Sequence, residues 1–138
     1  MKLLGIDYGR RRLGIATTDA SGEIVRGITT IDRKKKKNYF TTLKNIISNE
    51  APSIIVIGVP LGANDEETVM SKEIREFAVE LEKNLDTILP IEFIDESYSS
   101  IEADRLLSFR KKKVREKKGI RDMIAACNIL TSYKREMQ

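Results

Sequence analysis

The first nineteen residues, MKLLGIDYGRRRLGIATTD, constrain the fold more than any other stretch. Residues 2–6 read as a short apolar strand that ends in a carboxylate, Asp7. A Tyr-Gly turn and three arginines (Arg10, Arg11 and Arg12) follow, and a second strand over residues 13–18 begins at once. A carboxylate at the end of a central apolar strand is costly unless a charge meets it. Either the arginines neutralise Asp7, or Asp7 holds a cation while the arginines face an anion. An Asp opening a β-turn beside a Gly is the purely structural alternative.

A turn at residues 20–22 leads into a β-branched run, EIVRGITTI (residues 23–31), read as a third strand. Both connections are too short for a parallel crossover, so these three strands form an antiparallel meander. Phe40, Leu43, Ile46 and Ile47 then fall at helical spacing over residues 39–49, and Pro52 marks the stop. SIIVIGV (residues 53–59) is the near-continuous apolar run of a strand buried on both faces, expected parallel to the first. PLGANDEET (residues 60–68) reads as an exposed loop.

Residues 69–85 carry one apolar stripe, Met70, Ile74, Phe77, Ala78, Leu81 and Leu85, with charges off it. Pro90 opens a fifth strand over residues 91–94, which ends in Asp95 and Glu96. Ser99 and Glu102 form a capping box for a short helix to about Phe109. A basic run follows to Lys118, Gly119 breaks it, and a last helix is expected over residues 121–134. The sum is one α/β domain, a five-stranded mixed sheet of order 3-2-1-4-5 with strand 2 antiparallel and helices on both faces.

The chain has no histidine and one cysteine, Cys127. That excludes a His general base, a Ser-His-Asp triad and a zinc site within one chain. Metal chemistry here uses oxygen ligands, which favours Mg²⁺ or Mn²⁺. No apolar run approaches the ~18 residues that span a bilayer, and Asp7 interrupts the opening run before it resembles a leader. No membrane association and a cytoplasmic location are therefore expected. The net charge of +4 is modest, but residues 10–12, 33–37 and 110–118 hold more than half of the 25 lysines and arginines. Three such runs in so short a chain point to a polyanionic partner.

Ligands of α/β sheets bind at the C-terminal ends of the parallel strands. Asp7 ends strand one and Asp95-Glu96 ends strand five. Strands lie ~4.8 Å apart, and a side chain as long as Glu96 closes much of the gap across strand four. In the last helix, Ala125, Ala126, Ile129, Leu130 and Tyr133 form one face, and Asp122 projects from its middle. Asp122 would otherwise be a first-turn residue favoured by the helix dipole or paired with Arg121. Acidic residues from distant segments aimed at one sheet edge, with basic runs around them, suit phosphoryl transfer with two ions ~4 Å apart.

GIDYGRRRLGIATTD, IVIGVPL, DESYSS and RDMIAACNIL, in that order, resemble the four motifs of the YqgF family, also called RuvX, over nearly the whole chain. The resemblance implies the RNase H-like fold of Holliday junction resolvases and a nuclease that processes the 5′ end of the small-subunit ribosomal RNA precursor. It also implies that Asp7, Asp95 or Glu96, and Asp122 are the catalytic and metal-binding residues, with two Mg²⁺ or Mn²⁺ ions. Candidate nucleic-acid contacts are Arg10, Arg11, Arg12, Lys111, Lys112, Lys113, Lys117 and Lys118. Two departures stand out: Ser97 replaces an Arg found in many relatives, and the GANDEET loop lacks the usual Asp-Gly.

Rival readings are resolution of branched DNA, which would require a two-fold dimer, and a catalytically silent RNA-binding assembly module. An ATP-binding domain of the actin and sugar-kinase type shares the Asp-x-Gly turn but needs a second domain to form its cleft. Monomer and homodimer are both open. Tyr8 is expected as a wall beside the site, Thr17 and Thr18 as strand formers, and Cys127 at the edge of the last helix's apolar face.

Overall fold

The computed structural model describes residues 1–95 and 118–137. Three strands open the chain: β1 (Leu3–Tyr8), β2 (Arg12–Thr18) and β3 (Val25–Asp32). They pair antiparallel, with Asp7 opposite Gly14 and Arg12 opposite Asp32. The β2–β3 register slips between Ile15 and Ala16, which leaves Ile28 as the extra residue of a bulge.

Helix α1 (Tyr39–Glu50) follows. It ends where Ala51 turns left-handed (φ 47°) and its N–H donates to the Ile47 carbonyl at 2.8 Å. So the helix ends at Glu50, two residues before Pro52, in keeping with the bias of a pre-proline residue away from right-handed helix. Strand β4 (Ile54–Val59) runs parallel to β1, and β5 (Ile91–Asp95) runs parallel to β4. The order is β3-β2-β1-β4-β5, as the sequence predicts.

Between β4 and β5 lies α2 (Val69–Asn84). Thr68 caps it reciprocally: its Oγ1 accepts from Ser71 N–H at 3.0 Å, and its N–H donates to Ser71 Oγ at 2.7 Å. In the preceding loop Asn64 and Asp65 hold left-handed backbone (φ 56° and 60°). Asn and Asp tolerate that conformation best among residues other than Gly.

The last helix, α3 (Lys118–Glu136), begins earlier than the sequence suggests. Gly119 lies inside its first turn instead of breaking it, and Thr30 Oγ1 donates to the Gly119 carbonyl at 2.5 Å. The predicted helix over residues 99–109, most of the third basic run, Glu96 and Ser97 lie outside the described residues.

The sheet divides the core. On one side Leu4, Ile6, Leu13, Ile15, Ile55 and Ile57 pack against Leu43 and Ile47 of α1 and Ile74, Phe77 and Leu81 of α2. On the other, Leu3, Ala16, Val56 and Ile94 pack against Ala126, Ile129, Leu130 and Tyr133 of α3. Each fully buried Leu or Ile contributes about 1.5–3 kcal/mol relative to exposure. Among the described residues no helix is long and apolar enough to cross a membrane.

Candidate metal and nucleic-acid site

Side chains alternate along a strand, and β1 uses that alternation to send Asp7 towards α3. Leu4 and Ile6 face α1 and α2, and Tyr8 continues that face, its ring 5.0 Å from that of Phe77. Leu3 and Gly5 face α3, so Asp7 does too. Gly5 is required there: a β-carbon would fall 2.7 Å from Leu130 Cγ.

Gly14, the cross-strand partner of Asp7, is required more strictly. A β-carbon on it would overlap the Asp122 carbonyl oxygen. The α3 backbone therefore rests directly on β2 at the residue paired with Asp7, and cross-strand Cα atoms are only ~4.5–5.5 Å apart. Two carboxylate-bearing residues 115 positions apart in sequence are brought together across one glycine. Asp122 is half-buried, its side chain 19% exposed.

The partner that the structure gives Asp122 is Arg12. Arg12 Nε donates to Asp122 Oδ2 at 2.8 Å, with the guanidinium side chain 28% exposed. Arg10 pairs with Glu73 at 3.2 Å and Arg11 with Asp32 at 3.6 Å. All three arginines of the first basic run thus carry a carboxylate partner, although Arg10 and Arg11 stay exposed. The Arg10 guanidinium, with a smaller contribution from Tyr8, holds the Glu73 carboxyl below its ordinary range. Asp32 is held low by the Lys35 amide first, then by the Lys34 amide and Arg11.

Asp95 falls elsewhere. Ile94 belongs to the α3-side core, while Ile91 and Phe93 pack on the α1/α2 side. Alternation therefore puts Asp95, level with Val59 of β4, on the face opposite Asp7 and Asp122. Tyr8 also turns to that opposite face, so it is not the wall beside Asp7 that the sequence suggests. Among the described residues no three acidic or thiol side chains group closely enough to hold a metal ion. Asp7 and Asp122 nonetheless fit a divalent cation as hard oxygen donors on one face, and a guanidinium already neutralises Asp122.

Sequence reasoning missed Arg33, counted there only as one of a basic run. Its guanidinium carbon lies 4.8 Å from the Tyr39 ring centroid, 5.0 Å from Tyr8 and 5.9 Å from Phe77. Its Nη1 donates to the Gly9 carbonyl at 2.9 Å and its Nη2 to Tyr39 Oη at 3.1 Å. Arg33 thereby pins the turn that follows Asp7. The available signal was Tyr39-Phe40, one residue beyond the run. Cys127 packs at the edge of the α3-side core as expected, and burial pushes its thiol up.

A family model described as "RuvX: Holliday junction resolvase" matches residues 1–135. A protein of Oleidesulfovibrio alaskensis named "Putative pre-16S rRNA nuclease" is 37% identical over 133 residues, 96% of this chain and 91% of that one. A Bacteroides fragilis protein of the same name is 36% identical over 134 residues, 96% and 94% of the two chains. Among solved structures, the fowlpox virus resolvase in complex with Holliday junction DNA superposes with a TM-score of 0.61 at 13% identity, covering 99% of both chains. Thermus thermophilus RuvC with a Holliday junction substrate gives 0.61 at 11% identity, covering 99% of this chain and 96% of that one. Those two likenesses show the RNase H-like fold. The match over residues 1–135 and the relatives' identity along nearly the whole chain show that it belongs to the RuvX family.

Proposed function

We propose that the chain is a divalent-metal-dependent nuclease that hydrolyses nucleic-acid phosphodiesters in 5′-end processing of the 16S ribosomal RNA precursor, in the cytoplasm. The observation that carries the reading is the meeting of Asp7 and Asp122 across Gly14 at the C-terminal edge of β1. The relatives' shared name supports the RNA precursor as substrate.

Asp7 and Asp122 would hold the ions, Mg²⁺ or Mn²⁺ and two in number. With Asp95 on the far face, Glu96 is the third carboxylate that we assign to them. The bound ions would activate water and neutralise charge on the departing oxygen. The chain itself supplies the rest: Asp7 on a fixed strand, Asp122 on a helix seated against that strand's neighbour, and Arg12 balancing the charge of Asp122.

The test is cleavage of a labelled 16S precursor and of a four-way DNA junction, each with Mg²⁺, Mn²⁺ or EDTA. Wild type is expected to cut the RNA only with metal, and Asp7→Asn to reduce cutting to background while still binding. Cleavage of the junction instead, by paired symmetric cuts, would support the second reading, resolution of branched DNA, which the family's description favours. Binding of both without cutting under any metal would replace catalysis with an assembly role.

A further inference from the structure

The loop between β3 and α1 carries four consecutive lysines, Lys34, Lys35, Lys36 and Lys37, all exposed. Its backbone is anchored despite that exposure. Asp32 Oδ1 accepts from Lys34 N–H at 3.0 Å and Lys35 N–H at 3.2 Å, and the Asp32 carbonyl accepts from Lys36 N–H at 3.0 Å. Arg33 N–H donates to the Arg11 carbonyl at 2.7 Å, which ties the loop to the turn after Asp7. Among the described residues no carboxylate forms an ion pair with any of the four lysines. Arg10, Arg11 and Arg12, by contrast, each have one. The uncompensated positive charge of this edge therefore sits in the lysine loop and not in the arginine run.

Position makes that charge useful. Arg12 lies opposite Asp32, and Gly14, two residues along β2, lies opposite Asp7. The end of β3 is thus two strand spacings from β1, about 10 Å, on the same sheet edge as Asp7. Successive nucleotides of a duplex strand advance ~3.4 Å. A backbone with its scissile phosphate at Asp7 would reach the lysine loop about three nucleotides away.

We propose that Lys34, Lys35, Lys36 and Lys37 form a phosphate-binding rim that holds the substrate's nucleic-acid backbone beside the Asp7–Asp122 site. The rim rests on the nuclease reading above and deepens it, because it names where the polyanion lies. It reads charge and not sequence, so it takes RNA and DNA backbones alike. Each lysine that touches a phosphate adds about 1 to the steepness with which log affinity falls against log salt.

The experiment measures that slope in EDTA, where substrate stays whole, for labelled 16S precursor RNA and a four-way DNA junction. Three proteins are compared: wild type, the quadruple Lys34→Gln/Lys35→Gln/Lys36→Gln/Lys37→Gln, and the control Lys72→Gln/Lys83→Gln on α2. The quadruple variant is expected to bind more weakly at low salt and to lose about 2–4 from the slope, with the curves converging as salt rises. The control is expected to keep the wild-type slope. An unchanged slope in the quadruple variant, with wild type still cutting under Mg²⁺, overturns the rim alone. An equal loss per charge in the control overturns it too, because net charge would then suffice. A loss confined to one nucleic acid overturns the backbone reading. Failure of wild type to bind either substrate overturns the rim and the nuclease together.

Discussion

A guanidinium stands at Asp122 where a ligand-binding carboxylate would meet a cation. Arg12 reaches it at 2.8 Å with both side chains partly shielded, so the bond is stronger than a surface pair and weaker than a buried one. We place it at about 1 kcal/mol, between the exposed-pair range and the 1.5–3 kcal/mol of a shielded charged hydrogen bond. Without Arg12, Asp122 would lose the cation that balances it on the face it shares with Asp7. Arg12→Gln is therefore expected to lower the melting temperature of the metal-free protein and to enlarge the rise that Mg²⁺ produces, since the ion would take over the compensation. Arg12→Lys, which keeps the charge, is expected to stay near wild type. Thermal unfolding with and without Mg²⁺ checks both, and a smaller Mg²⁺ response in Arg12→Gln would count against the exchange. The sequence showed three arginines beside Asp7 but not their partners. Arg12 and Asp122 are 110 residues apart, and nothing local links them. Arg33 was hidden in the same way, because a cation enclosed by Tyr8, Tyr39 and Phe77 looks in sequence like any member of a solvated run.

Among the elements, α3 shows most plainly what periodicity can and cannot reveal. Its buried face, Ala125, Ala126, Ile129, Leu130 and Tyr133, is legible from helical spacing, and so is the inward direction of Asp122. Its start is not, because Gly119 lowers helix propensity locally while Thr30 of β3 holds that glycine's carbonyl in place. Nor does the sequence reveal how closely α3 approaches the sheet, which depends on the missing β-carbons of Gly5 and Gly14. For β5 the period-two rule puts Asp95 on the α1/α2 side, once packing has shown which face Ile94 takes. The approach at Gly14 is rigid, because backbone meets backbone. Gly14→Ala is expected to cost about 1–3 kcal/mol, the range for forced overpacking, and to lift Asp122 away from Asp7. Gly27→Ala is the matched control: the atoms nearest its β-carbon would be side-chain atoms of Met123, at 3.3 Å, and not backbone. Urea unfolding of the two variants, read with their Mg²⁺ response, checks the contrast. Similar stabilities would mean that α3 slides along β2 without penalty.

Across the whole molecule, the two candidate ligands sit on parts of unequal anchorage. Asp7 belongs to β1, bonded between β2 and β4 and backed by the larger core under α1 and α2. Asp122 belongs to α3, held among the described residues by a smaller set of apolar side chains on the opposite face. Among the described residues α3 packs against one face of the sheet, whereas β1 and β4 are covered on both faces, so α3 is expected to open below the free energy that unfolds the sheet. Native-state hydrogen exchange should then show α3 amides exchanging through a separate, cheaper opening, while those of β1 and β4 wait for global unfolding. Leu130→Ala probes the same asymmetry, because Leu130 is fully buried and lies against Gly5. It is expected to cost about 2–5 kcal/mol, to speed exchange in α3 more than in the sheet, and to abolish cleavage while the strands stay folded. If α3 and β1 exchanged together in both proteins, the helix would be part of one cooperative unit. An ion bound by Asp7 and Asp122 would join the two parts, so Mg²⁺ should slow exchange in α3 selectively. The same carboxylates would then serve both catalysis and the closure of the helix on the sheet.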